Sequence, residues 1–454
     1  MILNTFYTSN KIFQFVNSDQ LVEKENIFTI LVGKNGTGKS SLLSAIVRDL
    51  LDDQNQSFFA QSELGFSSRI MRGKSEITGF PEKIIALSTS PFDKFPITRR
   101  LDVESNYTYL GLRNLSSLNF GLAYMSKIIS GLIESVIIRP DQATDLKDVL
   151  GYLGYNENIH ALFSLSSTKG TLERIIQSDN PSELIRGTGF LVAKSFNRSF
   201  FYDDLGEIDL NKVFELVEVS KKFLNFDLGS RCNLVINTNG VNIEDGYEIF
   251  EQEILFLIRS GFLRLRNIGL ESMKKNKIFS IKDASSGEQS VILSVLGIAS
   301  KIQDNSLICI DEPEVCLHPE WQEKYMQILI ATFSKYNNCH FIIATHSPQI
   351  ISRLRYFNSF IMQIESGEVM NADHYINNSI DFQLANVFNS PGFKNEYLSR
   401  IALNIFTKVS RKKYFDEDDL EKLKLLDYQI QFMDNNDPVR DITEAIKEMY
   451  KIYG

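Results

Sequence analysis

The sequence predicts an α/β fold: a mixed sheet flanked by helices, interrupted by a mainly helical insertion and followed by a helical C-terminal tail. Three observations carry this. Residues 30–46, ILVGKNGTGKSSLLSAI, read as a buried strand, a glycine turn and a helix. A second alternation of strand and helix runs through SLICI, WQEKYMQILIATFSKY and HFIIAT. Between the two lies a long aromatic-rich block in which apolar residues recur every three or four positions.

In order, residues 1–100 form the first part of the α/β unit. KIFQFV and IFTILVG are strands, KSSLLSAIVRDLL is a helix, and a polar stretch leads to the buried strand EKIIALS. Two prolines in TSPFDKFP bar a helix after it. Residues 101–280 form the insertion. LNFGLAYMSKIISGLIESVI, LNKVFELVEVSKKFLNF and YEIFEQEILFLIRSGFLRL carry helical spacing, and CNLVINTNGVNIE reads as a hairpin with Asn-Gly at its turn. Residues 281–375 resume the α/β pattern, with SSGEQSVILSVLGIASKI as a helix and SFIMQIESGEVMNAD as a closing hairpin. Residues 376–454 are helical and charged, a region suited to partner binding or oligomerisation.

The chain has 454 residues, 43% of them hydrophobic and 23% charged, an ordinary globular composition. Cys232, Cys309, Cys316 and Cys339 form no CxxC pair, so neither a disulfide framework nor a zinc site is expected. The N-terminus lacks a signal-peptide pattern, and no window reaches 18 consecutive apolar residues, which together predict a cytoplasmic protein without a membrane segment. A net charge of −9 argues against a generally basic DNA binder but leaves room for a local basic groove.

Gly33, Lys34, Asn35, Gly36, Thr37, Gly38, Lys39 and Ser40 match the phosphate-loop pattern completely. The glycines let successive N–H groups face one anion, and the helix beginning at Lys39 adds its N-terminal partial charge. Lys39 supplies a full charge to the β- and γ-phosphates, the Ser40 hydroxyl can ligate Mg²⁺, and Ser41 lies next in the helix. The strand ending at Asp311 is followed at once by Glu312: Asp311 would face Mg²⁺ through water, and Glu312 would orient the attacking water. The two acids could equally cap the next helix, but beside a complete phosphate loop the catalytic reading prevails. ATP and Mg²⁺ are the cofactors expected.

Three further stretches narrow the class. ASSGEQS places Ser285, Ser286, Gly287 and Glu288 on a motif that resembles the signature of ABC-class ATPases in the SMC, Rad50 and overcoming-lysogenization-defect branch. DEPEVCLHP resembles that branch's extended acidic strand, and ATHSPQII sets His346 where the branch has its switch histidine. The resemblance covers residues 1–100 and 280–370. It implies a P-loop ABC-type ATPase head, with Ser285 and Gly287 completing the nucleotide site of a second copy, so that two ATPs are sandwiched in a head-to-tail homodimer. Glu312 and His346 are then the catalytic pair.

The sequence departs from the family at the Q-loop, where TSPFDKFP carries no glutamine and Asp93 or Ser90 would stand in at the metal. That predicts slow or gated hydrolysis. Phe6, Tyr7, Phe13 and Phe15 are candidates for an adenine-stacking ring, each more readily a core residue. His160 and His374 read as surface residues. Asp416–Asp419, DEDD, reads as a helix cap ahead of LEKLKLLDYQI rather than a metal site. No D-x-D follows Glu365 and Glu368 in IESGEVMNADHY, so a fused nuclease domain is not expected.

STSPFDKFP, YLGLRN and DEPEVCLHPEWQ resemble the ATPase subunit of Septu-type antiphage defence systems. That resemblance implies a higher homo-oligomer, a separately encoded HNH nuclease partner and, in some relatives, a retron reverse transcriptase with its small DNA. Two alternatives stand beside it: the ATPase of a PARIS-type system with a Toprim partner, and a Rad50- or RecF-like repair ATPase. The latter would contact DNA directly through SRKKYF and FLRLRN, which otherwise read as solvated helix faces.

Overall fold

The computed structural model describes residues 1–52, 71–97, 106–113, 120–165, 169–186, 197–203, 206–225, 231–244, 251–274, 277–315 and 317–454. The polar stretch expected after the first helix and Cys316 fall largely or wholly outside these. The chain divides into two units, 1–109 with 303–454, and 110–302.

The first unit begins with β1 (Ile2–Thr8), β2 (Ile12–Gln14), β3 (Ile27–Val32), α1 (Lys39–Asp52), β4 (Gly73–Thr78), β5 (Ile84–Ser88) and β6 (Tyr107–Leu110). The second unit holds α2 (Phe120–Ile138), α3 (Pro140–Leu153), β7 (Tyr155–Leu165), α4 (Lys169–Gln177), α5 (Pro181–Arg186), α6 (Leu210–Asn225), β8 (Arg231–Asn237), β9 (Gly240–Ile243), α7 (Glu251–Arg259), β10 (Leu263–Ser272), β11 (Lys277–Ser280) and α8 (Ser286–Ala299). The first unit resumes with β12 (Leu307–Asp311), α9 (Pro319–Thr332), β13 (His340–Ala344), α10 (Pro348–Ser352), β14 (Ser359–Gln363) and β15 (Val369–Asn371). It closes with α11 (Ile380–Asn386), α12 (Glu396–Lys412), α13 (Glu417–Ile430) and α14 (Pro438–Tyr453).

In the first unit a seven-stranded sheet runs β15-β14-β3-β13-β12-β5-β6. Strands β14, β3, β13, β12 and β5 are parallel neighbours, and β15 is antiparallel. β3, β5, β12 and β13 are buried along their whole length, which is why they read as continuous apolar runs instead of alternating ones. A separate antiparallel sheet, β2-β1-β4, shares a core with α1 and the larger sheet through Leu3, Phe6, Phe15, Leu43, Ile46, Cys309 and Ile342. Helices α12 to α14 enclose a core of their own, including Leu398, Ile405, Leu426 and Ile446.

The second unit is mainly helical, as expected for the middle block, and adds a sheet. Its helices pack on a five-stranded antiparallel sheet, β11-β10-β7-β8-β9. The segment YEIFEQEILFLIRSGFLRL, expected to be helical throughout, ends as α7 at Arg259 and turns into β10 at Leu263. A turn at Ser260–Gly261, with Gly261 at φ +81°, makes the break. β7 carries alternating burial that its many polar residues disguise. The expected hairpin is present as β8–β9, with Asn237 paired to Gly240. This unit runs to Ile302 and includes α8.

His160 is not a surface residue. It lies on β7 with its side chain 12% exposed and its Nε2 3.0 Å from Glu271 Oε1. Helix α2 is long and apolar enough, over Gly121–Ile138, to cross a membrane by length and composition alone. Its Glu134 pairs with Lys301 (2.5 Å) and with Arg259, and half of the window is buried within the protein. Those contacts are those of a core helix.

Candidate functional site

The register of the parallel strands assembles the site. Asp311 pairs with Ala344 and Ser88, and Ala344 with Leu31. The carboxyl ends of β3, β5, β12 and β13 therefore stop in one row, and the loops leaving them share one edge, where open α/β sheets bind ligands. The loop after β3 carries Gly36 at φ +79° and Gly38 at φ +103°, conformations that side chains with a Cβ resist. It delivers Lys39 as the first residue of α1.

Lys39 is buried, and its Nζ donates to the Gly33 carbonyl at 2.9 Å and the Lys34 carbonyl at 3.3 Å. It also lies 2.7 Å from His346 Nε2. Burial lowers the Lys39 pKa, opposed by the carboxylates of Glu312, Glu365, Glu314 and Asp311. Burial, with the Lys39 charge, also lowers that of His346. A neutral imidazole accepting from an ammonium satisfies both shifts.

The Ser40 hydroxyl donates to Asp311 Oδ1 at 3.0 Å. Asp311 is buried, and its carboxyl is pushed up to about 7, by burial first and then by the neighbouring carboxylates of Glu312, Asp93 and Glu314. Glu314 Oε2 is buried without a hydrogen-bond partner. An all-oxygen group with too much negative charge for its burial fits a hard divalent cation such as Mg²⁺. Glu312 sits at φ +49°, a left-handed backbone that costs a non-glycine residue about 1–2 kcal/mol. Its N–H donates to Ala344 at 2.9 Å, and Oε1 lies 3.8 Å from His346 Nε2. Strain of this kind clusters at functional sites.

Thus Lys39, Ser40, Asp311, Glu312 and His346 converge. Gly33 to Gly38 surround them, with Asn35 and Gly36 exposed and the Thr37 hydroxyl donating to Lys34 O at 2.8 Å. Ser41 turns aside to accept from Lys94 at 2.7 Å. Asp93 is buried and its oxygens accept from Tyr109 (2.5 Å) and the Phe95 N–H (3.1 Å), so it acts on Asp311 through its field while bonded to its own loop. The Ser90 hydroxyl accepts from the Phe92 N–H at 3.2 Å. Phe6, Phe13 and Phe15 are core residues, whereas Tyr7 is 42% exposed and bonds Glu76.

In the second unit Ser285 is exposed and caps α8, its hydroxyl accepting from the Glu288 N–H at 3.2 Å. Ser286 is exposed and Gly287 buried, and Glu288 accepts from the Tyr155 hydroxyl at 2.8 Å. No local pattern signals Tyr155, because its partner lies 133 residues away. The sequence offers Glu365 only as a candidate nuclease acid. It instead accepts from the Lys34 N–H at 2.8 Å, a contact that nothing in the spacing of the sequence signals. The acids of DEDD cap α13 through a reciprocal Asp416–Asp419 box, and Lys408 bonds both. An ammonium therefore occupies the place a metal would take.

The fold and the order of its motifs are similar to those of ABC-class P-loop ATPase heads. The family model described as AAA domain, putative AbiEii toxin, Type IV TA system matches residues 153–352. The chain is 23% identical over 377 residues to the retron Vc95 probable ATPase of Vibrio cholerae serotype O1 biovar El Tor, covering 73% of this chain and 68% of that protein. It is 26% identical over 127 residues to the retron Ec83 probable ATPase of Escherichia coli, covering 25% and 23%. To endonuclease GajA of Bacillus cereus (strain HuB5-5) it is 21% identical over 494 residues, covering 92% of this chain and 64% of that one. The chain thus spans less than two thirds of two of these three relatives. The solved SMC head domain from Thermotoga maritima aligns over 81% of this chain and 97% of its own, with 12% identity and a TM-score of 0.27.

Proposed function

We propose that this chain is an ATP-binding and ATP-hydrolysing regulatory subunit of a bacterial antiphage defence complex. The convergence of Lys39, Ser40, Asp311, Glu312 and His346 at one sheet edge carries the reading. Lys39 leaves the Gly33 and Lys34 carbonyls for the β- and γ-phosphates of ATP. Ser40 and Asp311 would hold Mg²⁺, which would neutralise charge across the phosphate oxygens. Glu312 orients the attacking water and accepts its proton as the water oxygen bonds the γ-phosphorus and the bond to the ADP oxygen breaks. His346 holds the γ-phosphate.

Ser285 and Gly287, from a second copy, close each site, giving an ATP-sandwiched homodimer. Their exposure and cap geometry at the start of α8 support an anion contact there. The partner is a separately encoded HNH-type nuclease, with a retron reverse transcriptase and its DNA as further candidates. The two retron ATPase relatives support that setting. The likeness to an endonuclease is met by the Lys408 contacts, which disfavour metal binding at the one acidic trio found among the described residues. The test is calorimetric titration with ATP and Mg²⁺ of the wild type and Lys39→Ala, followed by co-purification with the product of the adjacent gene. Affinity weakened about 100-fold in the variant supports the reading; equal affinity overturns it.

A further inference from the structure

The phosphate loop has a second anchor outside its own motif. Strand β14 pairs with β3 to the last residue, and the Ile364 N–H extends the ladder by donating to Val32 O at 2.9 Å. That register brings the next residue, Glu365, alongside the loop. Its Oε1 accepts from the Lys34 N–H at 2.8 Å, and a Cβ on Gly33 would stand 2.3 Å from Ile364 Cγ2 and 2.9 Å from Glu365 Oε2. Gly33 is therefore glycine because this turn presses on it. The turn is itself held. Lys11 Nζ donates to the Ile364 carbonyl at 2.5 Å and to that of Glu365, and Gln14 N–H donates to Gly367 O at 2.9 Å.

The geometry points to Glu365 as a positioning residue that latches the phosphate loop and sets its preference between nucleotide triphosphate and diphosphate. The inference rests on the nucleotide reading of the loop. The carboxylate holds Lys34, whose carbonyl, like that of Gly33, accepts from Lys39 Nζ, and Lys39 in turn meets His346. Glu365 thus puts a fixed negative charge beside the two groups assigned to the terminal phosphate. A γ-phosphate entering there meets repulsion that a diphosphate, ending one phosphate short, largely escapes. Because Glu365 is exposed, water and salt screen the effect, which is modest and ionic-strength dependent.

Glu365→Gln keeps an oxygen that can accept from Lys34 N–H but removes the charge. ATP and ADP affinities are measured by calorimetry for this variant and the wild type at low and high salt, with melting of the nucleotide-free proteins as a check on folding. The expected result is ATP bound about three-fold more tightly by the variant, ADP changed less, and the difference reduced at high salt. A purely structural role would move ATP and ADP together and ignore salt. Glu365→Ala, which removes the charge together with the bond to Lys34, serves should Glu365→Gln fail to fold, with a shift in the same sense expected. Wild-type ATP binding with an unchanged or parallel ATP and ADP response in the variant overturns the inference alone. Absence of ATP binding to the wild type overturns the nucleotide reading and this inference with it.

Discussion

Nε2 of His346 lies 2.7 Å from Nζ of Lys39, joining residues 307 apart in the chain. Both are drawn away from their charged forms by burial, and the contact is stable only with the imidazole neutral. It ties the loop after β13 to the phosphate loop. His346→Ala should lower ATP turnover about 100-fold while leaving ATP affinity within about three-fold of the wild type. Steady-state phosphate release and calorimetry check the two halves, and loss of binding equal to the loss of turnover would contradict a role confined to hydrolysis.

Glu312 adopts a left-handed backbone and holds Oε1 3.8 Å from His346. Glu312→Gln keeps the size and backbone demand but cannot take a proton. It should retain ATP binding and lose hydrolysis by about 100-fold or more. With ATP and Mg²⁺ it should accumulate as a dimer in light scattering. Hydrolysis at the wild-type rate would remove Glu312 from its assigned role.

Ser285 caps α8 and is exposed. In the Glu312→Gln background, Ser285→Arg should abolish the ATP-dependent dimer and leave ATP binding to the monomer. Ser285→Ala, which also loses the cap at a cost of about 1 kcal/mol, separates the two effects: it should melt lower but dimerise more than the arginine variant.

Asp416 is held down to about 2, by the hydrogen bond from Lys408 first and by the Asp419 N–H. A carboxyl whose folded pKa lies below its unfolded value stabilises the fold above that unfolded value, near 4, and loses the contribution as pH falls through 2. Asp416→Ala should therefore melt below the wild type at pH 7, with the gap closing between pH 4 and pH 2. A gap independent of pH would leave only packing at this cap.

The phosphate loop, the acidic strand and the signature-like helix were legible because each is a local pattern. Buried parallel strands are unbroken apolar runs, and an anion site at a helix start needs glycines and a lysine at fixed spacing. The sheet of the second unit was obscured. β7 mixes polar residues into a strand of 11, and α7 runs into β10 across one short turn, so helical spacing masked the change of period. His160 reads as a surface residue for the same reason, since its partner Glu271 lies on a strand whose spacing is masked.

The sequence by itself determined the class of site, because Gly36, Gly38 and Lys39 act within one turn of chain. It also determined the cap at Asp416, a contact of three residues' reach. Only the tertiary structure decided that His346 meets Lys39, that Asp93 is spent on Tyr109 while still charging the surroundings of Asp311, and that Glu365 grips the loop. Those contacts depend on strand order and register, β14 beside β3 and β3 beside β13. Register is set by the packing of the whole sheet, which no local spacing encodes.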